Sequence, residues 1–306
     1  MTKIWDAHSH WIPPGVAKYT SFFKRGWSDI DLLLNTLDKS GIEKAVLLYP
    51  TSDAHLKMGG WSKVCALYNE EISKQVKRHP ERLMGAGILP VDRPKDMVRE
   101  VERIRELGLS CLSLASSYEG RFLDDESFLP VLEKAEREKL PIFVHSQIIN
   151  PIGFERIRDP LLMPVVEYPF DITMCAGKLM MSGRLSQLKN LKIIFAHFAG
   201  VLPFLGDRFD STYLMLRARE MVKDLGSLPS AILRNIFVDT SGAKSASLLN
   251  MALDFFGPDR ILWGSDFPAK KGLTESIEVL KDLNIEDGEK ESILGGNLMN
   301  LFGEGE

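Results

Sequence analysis

The stretch KIWDAHSHWIPPG, residues 3–15, raises the question that decides the fold. Ile4 and Trp5 favour a strand, and Pro13-Pro14-Gly15 stops any regular element. Side chains alternate between the faces of a strand, so Asp6, His8 and His10 are expected to share one face at its end. Two imidazoles so placed could grip one divalent metal ion, or could be a hydrogen-bonded pair beside a turn. The choice depends on where the remaining ligands lie.

Seven more short apolar runs follow: 44–50, 82–90, 109–117, 140–146, 191–198, 235–242 and 259–268. Near-continuous apolar runs of this length suit strands buried on both faces, as in a parallel sheet. Helical patterns separate them over 29–39, 61–78, 94–107, 125–138, 171–188, 201–216, 243–256 and 273–283, with a closing helical segment over 285–303. Gly41 and Gly108 serve as stops, and Pro94 stands where a helix start accepts proline. Strand and helix alternating eight times predict an α/β fold, a (β/α)8 barrel in one domain spanning 1–306. The alternative is a doubly wound open sheet, but no GxGxxG follows the first strand and no Walker loop is present.

The bulk composition fits this. The chain has 306 residues, 44% hydrophobic and 26% charged, enough for a sizeable core. A net charge of −4 argues against a nucleic-acid partner. Three cysteines, Cys65, Cys111 and Cys175, form no CxxC and suit a reducing compartment. No run reaches the ~18 apolar residues that a bilayer requires, and no signal peptide stands at the start. A cytoplasmic protein with no membrane association is expected.

Barrel active sites collect side chains from the C-terminal ends of strands. Strand one ends in His8 and His10, strand five in His145, strand six in His197 and strand eight in Asp266. Four of the six histidines therefore stand at strand ends, and His55 and His79 do not. Three imidazoles and a carboxylate converging on a barrel mouth are suitable ligands for a divalent metal, and a fourth histidine left off the metal could handle protons. No G-x-S-x-G elbow accompanies Ser9, Ser146 or Ser265, which argues against a serine hydrolase. The irregular stretch 147–167, with Arg156 and Arg158, is a candidate lid.

The motifs DAHSHWIPP (6–14), PIFVHS (141–146), YPFDIT (168–173), LKIIFAHFAG (191–200), LGDRFD (205–210), ILWGSDFP (261–268) and ILGGNLMNLFG (293–303) resemble the amidohydrolase superfamily over nearly the whole chain. More narrowly, they resemble the amidohydrolase-related group that includes 2-amino-3-carboxymuconate 6-semialdehyde decarboxylase. The resemblance implies a distorted, commonly dimeric (β/α)8 barrel. It implies one zinc ion, or manganese in some members, held by His8, His10, His145 and Asp266, with His197 as general acid/base. No lysine ends strand four or five to supply the carbamylated bridge of binuclear relatives.

The implied activity is non-oxidative decarboxylation of an aromatic or unsaturated carboxylic acid. The alternatives are hydrolysis of a lactone, amide or ester, with Asp266 or His197 taking the proton, and a metal-binding barrel without turnover. The expected partners are a small carboxylate or lactone substrate and a second copy of the chain. Arg208 matches an arginine that the named decarboxylase reaches from its partner subunit. Its other substrate arginine has no counterpart in 29–41, so a different substrate is expected, with Arg25, Arg156 or Arg158 as candidate replacements. Phe198-Ala199-Gly200 replaces the group's glycine-rich segment and implies a bulkier pocket floor. Trp11, Phe22, Phe23 and Trp27 are candidates to wall an aromatic pocket.

Overall fold

A computed structural model of the chain describes residues 2–23, 26–152 and 159–304. Arg25, Arg156, Arg158 and the middle of the candidate lid lie outside the described residues.

Eight parallel strands run in chain order around one sheet: β1 (Trp5–His10), β2 (Lys44–Leu48), β3 (Leu83–Gly87), β4 (Cys111–Ala115), β5 (Ile142–His145), β6 (Ile193–Phe195), β7 (Phe237–Asp239) and β8 (Ile261–Leu262). The first and last strands close on each other. The Ala7 amide donates to the Trp263 carbonyl at 3.0 Å, the Asp266 amide to His8 at 2.7 Å and the His10 amide to Phe267 at 2.7 Å. This is the (β/α)8 barrel that the strand–helix alternation predicts.

The outer ring comprises α1 (Ile30–Lys39), α2 (Trp61–Arg78), α3 (Met97–Glu106), α4 (Leu129–Arg137), α5 (Tyr168–Met181), α6 (Gly206–Ala218), α7 (Ala246–Phe256) and α8 (Leu273–Lys281). Asp29 caps α1 by accepting from the Leu32 amide at 2.9 Å. The helix expected over 171–188 starts three residues earlier and breaks at Gly183, whose left-handed backbone ends it before a short turn, Arg184–Gln187.

Two apolar layers flank the strands. The larger packs the helices on the outside of the barrel, with Leu33, Tyr68, Phe128 and Leu179 in it. The inner one holds Trp5, Ala7, Val46, Phe143, Ile194 and Leu262, and includes Leu298 and Leu301 of the closing helix Asn297–Phe302. The chain end thus plugs the N-terminal end of the barrel and leaves the other end for polar side chains.

β1 departs from simple alternation. Asp6 is paired with Ala45 but Ser9 with Leu47, so one extra residue is accommodated between them. Trp5 and Ala7 face the interior layer below the bulge, and His8 and His10 face the interior above it. A bulge of this kind re-aims a side chain. Asp6 therefore does not share the histidine face, contrary to the expectation from strict alternation. Its carboxylate accepts from Ser9 and Ser265 hydroxyls, each at 2.5 Å, and from the His8 and Ser265 amides, both at 2.9 Å. Asp6 stitches β1 to the segment after β8.

Candidate metal and proton-transfer site

The strand ends at the open mouth turn abruptly. Thr51, His197, Phe198, Ala199, Ser241 and Asp266 all have positive φ, between 41° and 60°. Such backbone is costly for residues with a Cβ and persists where the surroundings dictate it, commonly at functional sites. Here it aims His197 and Asp266 into the barrel at positions where the strands end.

Side-chain atoms of His8, His10, His145 and Asp266 gather so that one nitrogen or oxygen from each lies within 4.8 Å of all the others. The His8 and His10 Nε2 atoms are 3.0 Å apart, and Asp266 Oδ1 stands 3.7 and 3.4 Å from them. Each histidine ties its other nitrogen elsewhere. His8 Nδ1 donates to Asp239 Oδ2 at 2.8 Å, His10 Nδ1 to the Leu48 carbonyl at 3.0 Å and His145 Nδ1 to the Ser146 carbonyl at 2.9 Å. A proton fixed on Nδ1 leaves the Nε2 lone pair free. Three free imidazole nitrogens and one carboxylate oxygen, all buried and mutually close, fit a divalent metal ion.

The electrostatics match the donor set. Burial and the neighbouring imidazoles hold the His145 pKa well below the ordinary histidine value. Burial also lowers that of His10 against the pull of Asp266. Burial alone would do the same to His8, but the Asp239 carboxylate outweighs it and raises the value. Asp266 is held well below the usual carboxylate range: burial opposes its charge, and the imidazoles of His10, His197 and His8 around it outweigh that.

His197 stands beside this group rather than in it. Its ring centre is 5.5 Å from that of His8 and 5.8 Å from that of His145. Burial lowers its pKa to about 4, so it is neutral at pH 7. Its backbone amide donates to Asp239 Oδ1 at 3.1 Å and to Ser241 Oγ at 3.0 Å. One buried carboxylate thus orients both His8 and His197. Sequence reasoning passed over Asp239, yet it ends the apolar run of strand seven, the same pattern that singled out Asp266.

The other expected residues divide. Trp27 stacks on His10, ring centres 5.6 Å apart, with Phe23 packed on Trp27 at 4.4 Å. Trp11 is buried in the outer layer, its indole nitrogen without a hydrogen-bond partner among the described residues, and Phe22 is exposed. Arg208 is exposed on α6, in a groove with Met180, Leu205, Phe209 and Tyr213, and is not brought to the histidine cluster. Phe198 and Ala199, where a glycine-rich segment was the comparison, are both buried. His55 lies apart, stacked on Trp61 at 4.3 Å. The three cysteines are buried and unpaired. Among the described residues no helix is long and apolar enough to cross a membrane.

A 2-amino-3-carboxymuconate-6-semialdehyde decarboxylase from Dictyostelium discoideum is 27% identical over 290 residues, 90% of this chain and 77% of its own length. A gamma-resorcylate decarboxylase from Polaromonas sp. is 26% identical over 285 residues, covering 89% and 86%. The fold also matches a crystal structure of a dihydroxybenzoic acid decarboxylase from Polaromonas sp. JS666 with bound manganese and the inhibitor 2-nitroresorcinol. That match has a TM-score of 0.81 and 21% identity, and covers 99% of this chain and 97% of the other. The amidohydrolase family profile matches residues 5–303, and the chain belongs to that family.

Proposed function

We propose that this protein is a metal-dependent non-oxidative decarboxylase acting on an aromatic or unsaturated carboxylic acid. One observation carries the reading. Three Nδ1-anchored histidines and Asp266 converge on one point, and a fourth histidine, His197, stands beside them, free of that set. The decarboxylase relatives give the arrangement its reaction class.

His8, His10, His145 and Asp266 would hold one divalent ion, zinc or manganese; the manganese-bound neighbour favours the second. When bound, the ion supplies a fixed positive charge that orients an acid and stabilises charge developing beside it. His197 moves the proton: neutral at pH 7, it takes up a proton from water as the anionic acid binds beside it, then delivers that proton to the carbon whose bond to the carboxylate breaks, and CO2 departs with the imidazole neutral again. Burial makes its imidazolium a stronger acid than a free one, which favours proton delivery to a weakly basic carbon. Trp27 and Phe23 offer an aromatic wall beside His10.

The working form would be a homodimer. Met215, seven residues after Arg208 and so on the same face of α6, is exposed, as is Phe204 just before the helix, an apolar surface that a second copy could cover while lending its Arg208. A cytoplasmic setting suits the three unpaired thiols.

The test is a panel of aromatic acids and lactones with the metal-loaded protein, read by CO2 release and by 18O uptake from labelled water. CO2 release from an acid, reduced about 100-fold or more by His197→Ala with metal content unchanged, is the expected result. Lactone opening with 18O uptake and no CO2 would establish the hydrolase instead.

A further inference from the structure

Lys270 stands four residues after Asp266, on the segment that leaves β8. Its Nζ donates to the Ser241 carbonyl at 2.6 Å and lies 4.0 Å from Asp266 Oδ2, the oxygen other than the one nearest the histidines. Its backbone amide donates to the Asp266 carbonyl at 2.9 Å. The stem crosses Gly242, where an added Cβ would come 3.4 Å from Lys270 Cδ and 2.5 Å from the Ser265 carbonyl. Ser241 also accepts from the His197 amide, so the ammonium sits on the side of the cluster where His197 is anchored. Among the described residues, no other Lys or Arg comes within 4.0 Å of a cluster carboxylate.

Among the described residues the ammonium makes one hydrogen bond, to the Ser241 carbonyl, and the side chain is 46% exposed. A cation on the departing carboxylate would oppose the reaction, because the charge it holds must vanish as CO2 leaves. Its useful partner is an anionic group that the product keeps.

Resting on the decarboxylase reading, we propose that Lys270 is a specificity-determining residue: it pairs with a second, retained carboxylate of the substrate. The substrate class narrows accordingly to aromatic acids carrying two carboxylates.

The experiment compares binding of isophthalate and benzoate to the metal-loaded full chain by calorimetry, in the parent, Lys270→Met and Lys270→Arg, with metal per chain and melting temperature measured alongside. The parent should bind isophthalate about tenfold or more tightly than benzoate. Lys270→Met should erase that preference with benzoate binding, metal and melting temperature unchanged, and Lys270→Arg should retain it. No preference in the parent, a preference surviving in Lys270→Met, or equal loss for both ligands would overturn the proposal. CO2 release is scored separately: a Lys270-dependent preference in a protein that releases no CO2 from any acid would refute decarboxylation and leave the binding role in place.

Discussion

Asp239 acts on two histidines at once: one oxygen holds His8 Nδ1 and the other holds the His197 backbone. Replacing it with asparagine keeps the shape and removes the charge. The amide can present its nitrogen to His8, which would favour the tautomer with its proton on Nε2, the atom needed for the metal. Asp239→Asn should weaken metal affinity about 10- to 100-fold, as measured by competition with a chelator, while the fold persists. His8, His10, His145, His197 and Asp266 were legible because each ends an apolar run, where a polar side chain has no reason to stand unless the mouth of a barrel needs it. Asp239 ends such a run too, but Thr240-Ser241-Gly242 after it reads as an ordinary turn. Arg208 was legible only through resemblance, and its place on an outer helix depends on how α6 is docked.

Among the elements, β1 and β8 carry the most demanding contact. Gly264 lies so close to β1 that a Cβ there would come 2.7 Å from the His8 Cβ. Gly264→Ala should therefore push His8 out of position and cost about 1–3 kcal/mol, read as a lower denaturant midpoint together with weaker metal retention. The barrel that brings β1 and β8 together was legible in the sequence, but this close approach of Gly264 to His8 was not. The existence and order of the strands follow from apolar runs and helix stops, which are local features. The bulge in β1, which sends Asp6 to the Ser9 side and both histidines inward, depends on register with β2 and β8, and that is set across the sheet. The same holds for the left-handed backbone at His197, Phe198 and Ala199, which surrounding contacts enforce on residues that do not prefer it.

At the scale of the whole molecule, the barrel is plugged at one end by Leu298 and Leu301 and polar at the other, so its buried ionisable groups are concentrated at the mouth. In the metal-free protein these set the acid response. His10, His145 and His197 have depressed values, so the unfolded chain takes up protons first as pH falls. Their contribution is fully present above about 6.5 and is lost toward the folded value, about 4 for His197, which alone accounts for roughly 3 kcal/mol. His8 has the opposite sign, since Asp239 raises its value, and offsets part of this. The melting temperature of the metal-free protein should fall between pH 6.5 and 4, and His197→Gln should flatten that fall. An unchanged slope would mean that His197 is not buried neutral.

The account depends most directly on four side chains holding one ion at that mouth. The decisive measurement is elemental analysis of metal per chain in the purified, reconstituted protein beside a His8→Ala, His10→Ala double variant shown by circular dichroism to be folded. The account predicts about one divalent ion per chain in the parent and none retained by the variant. No metal in the reconstituted parent, or equal metal in both proteins, would contradict it.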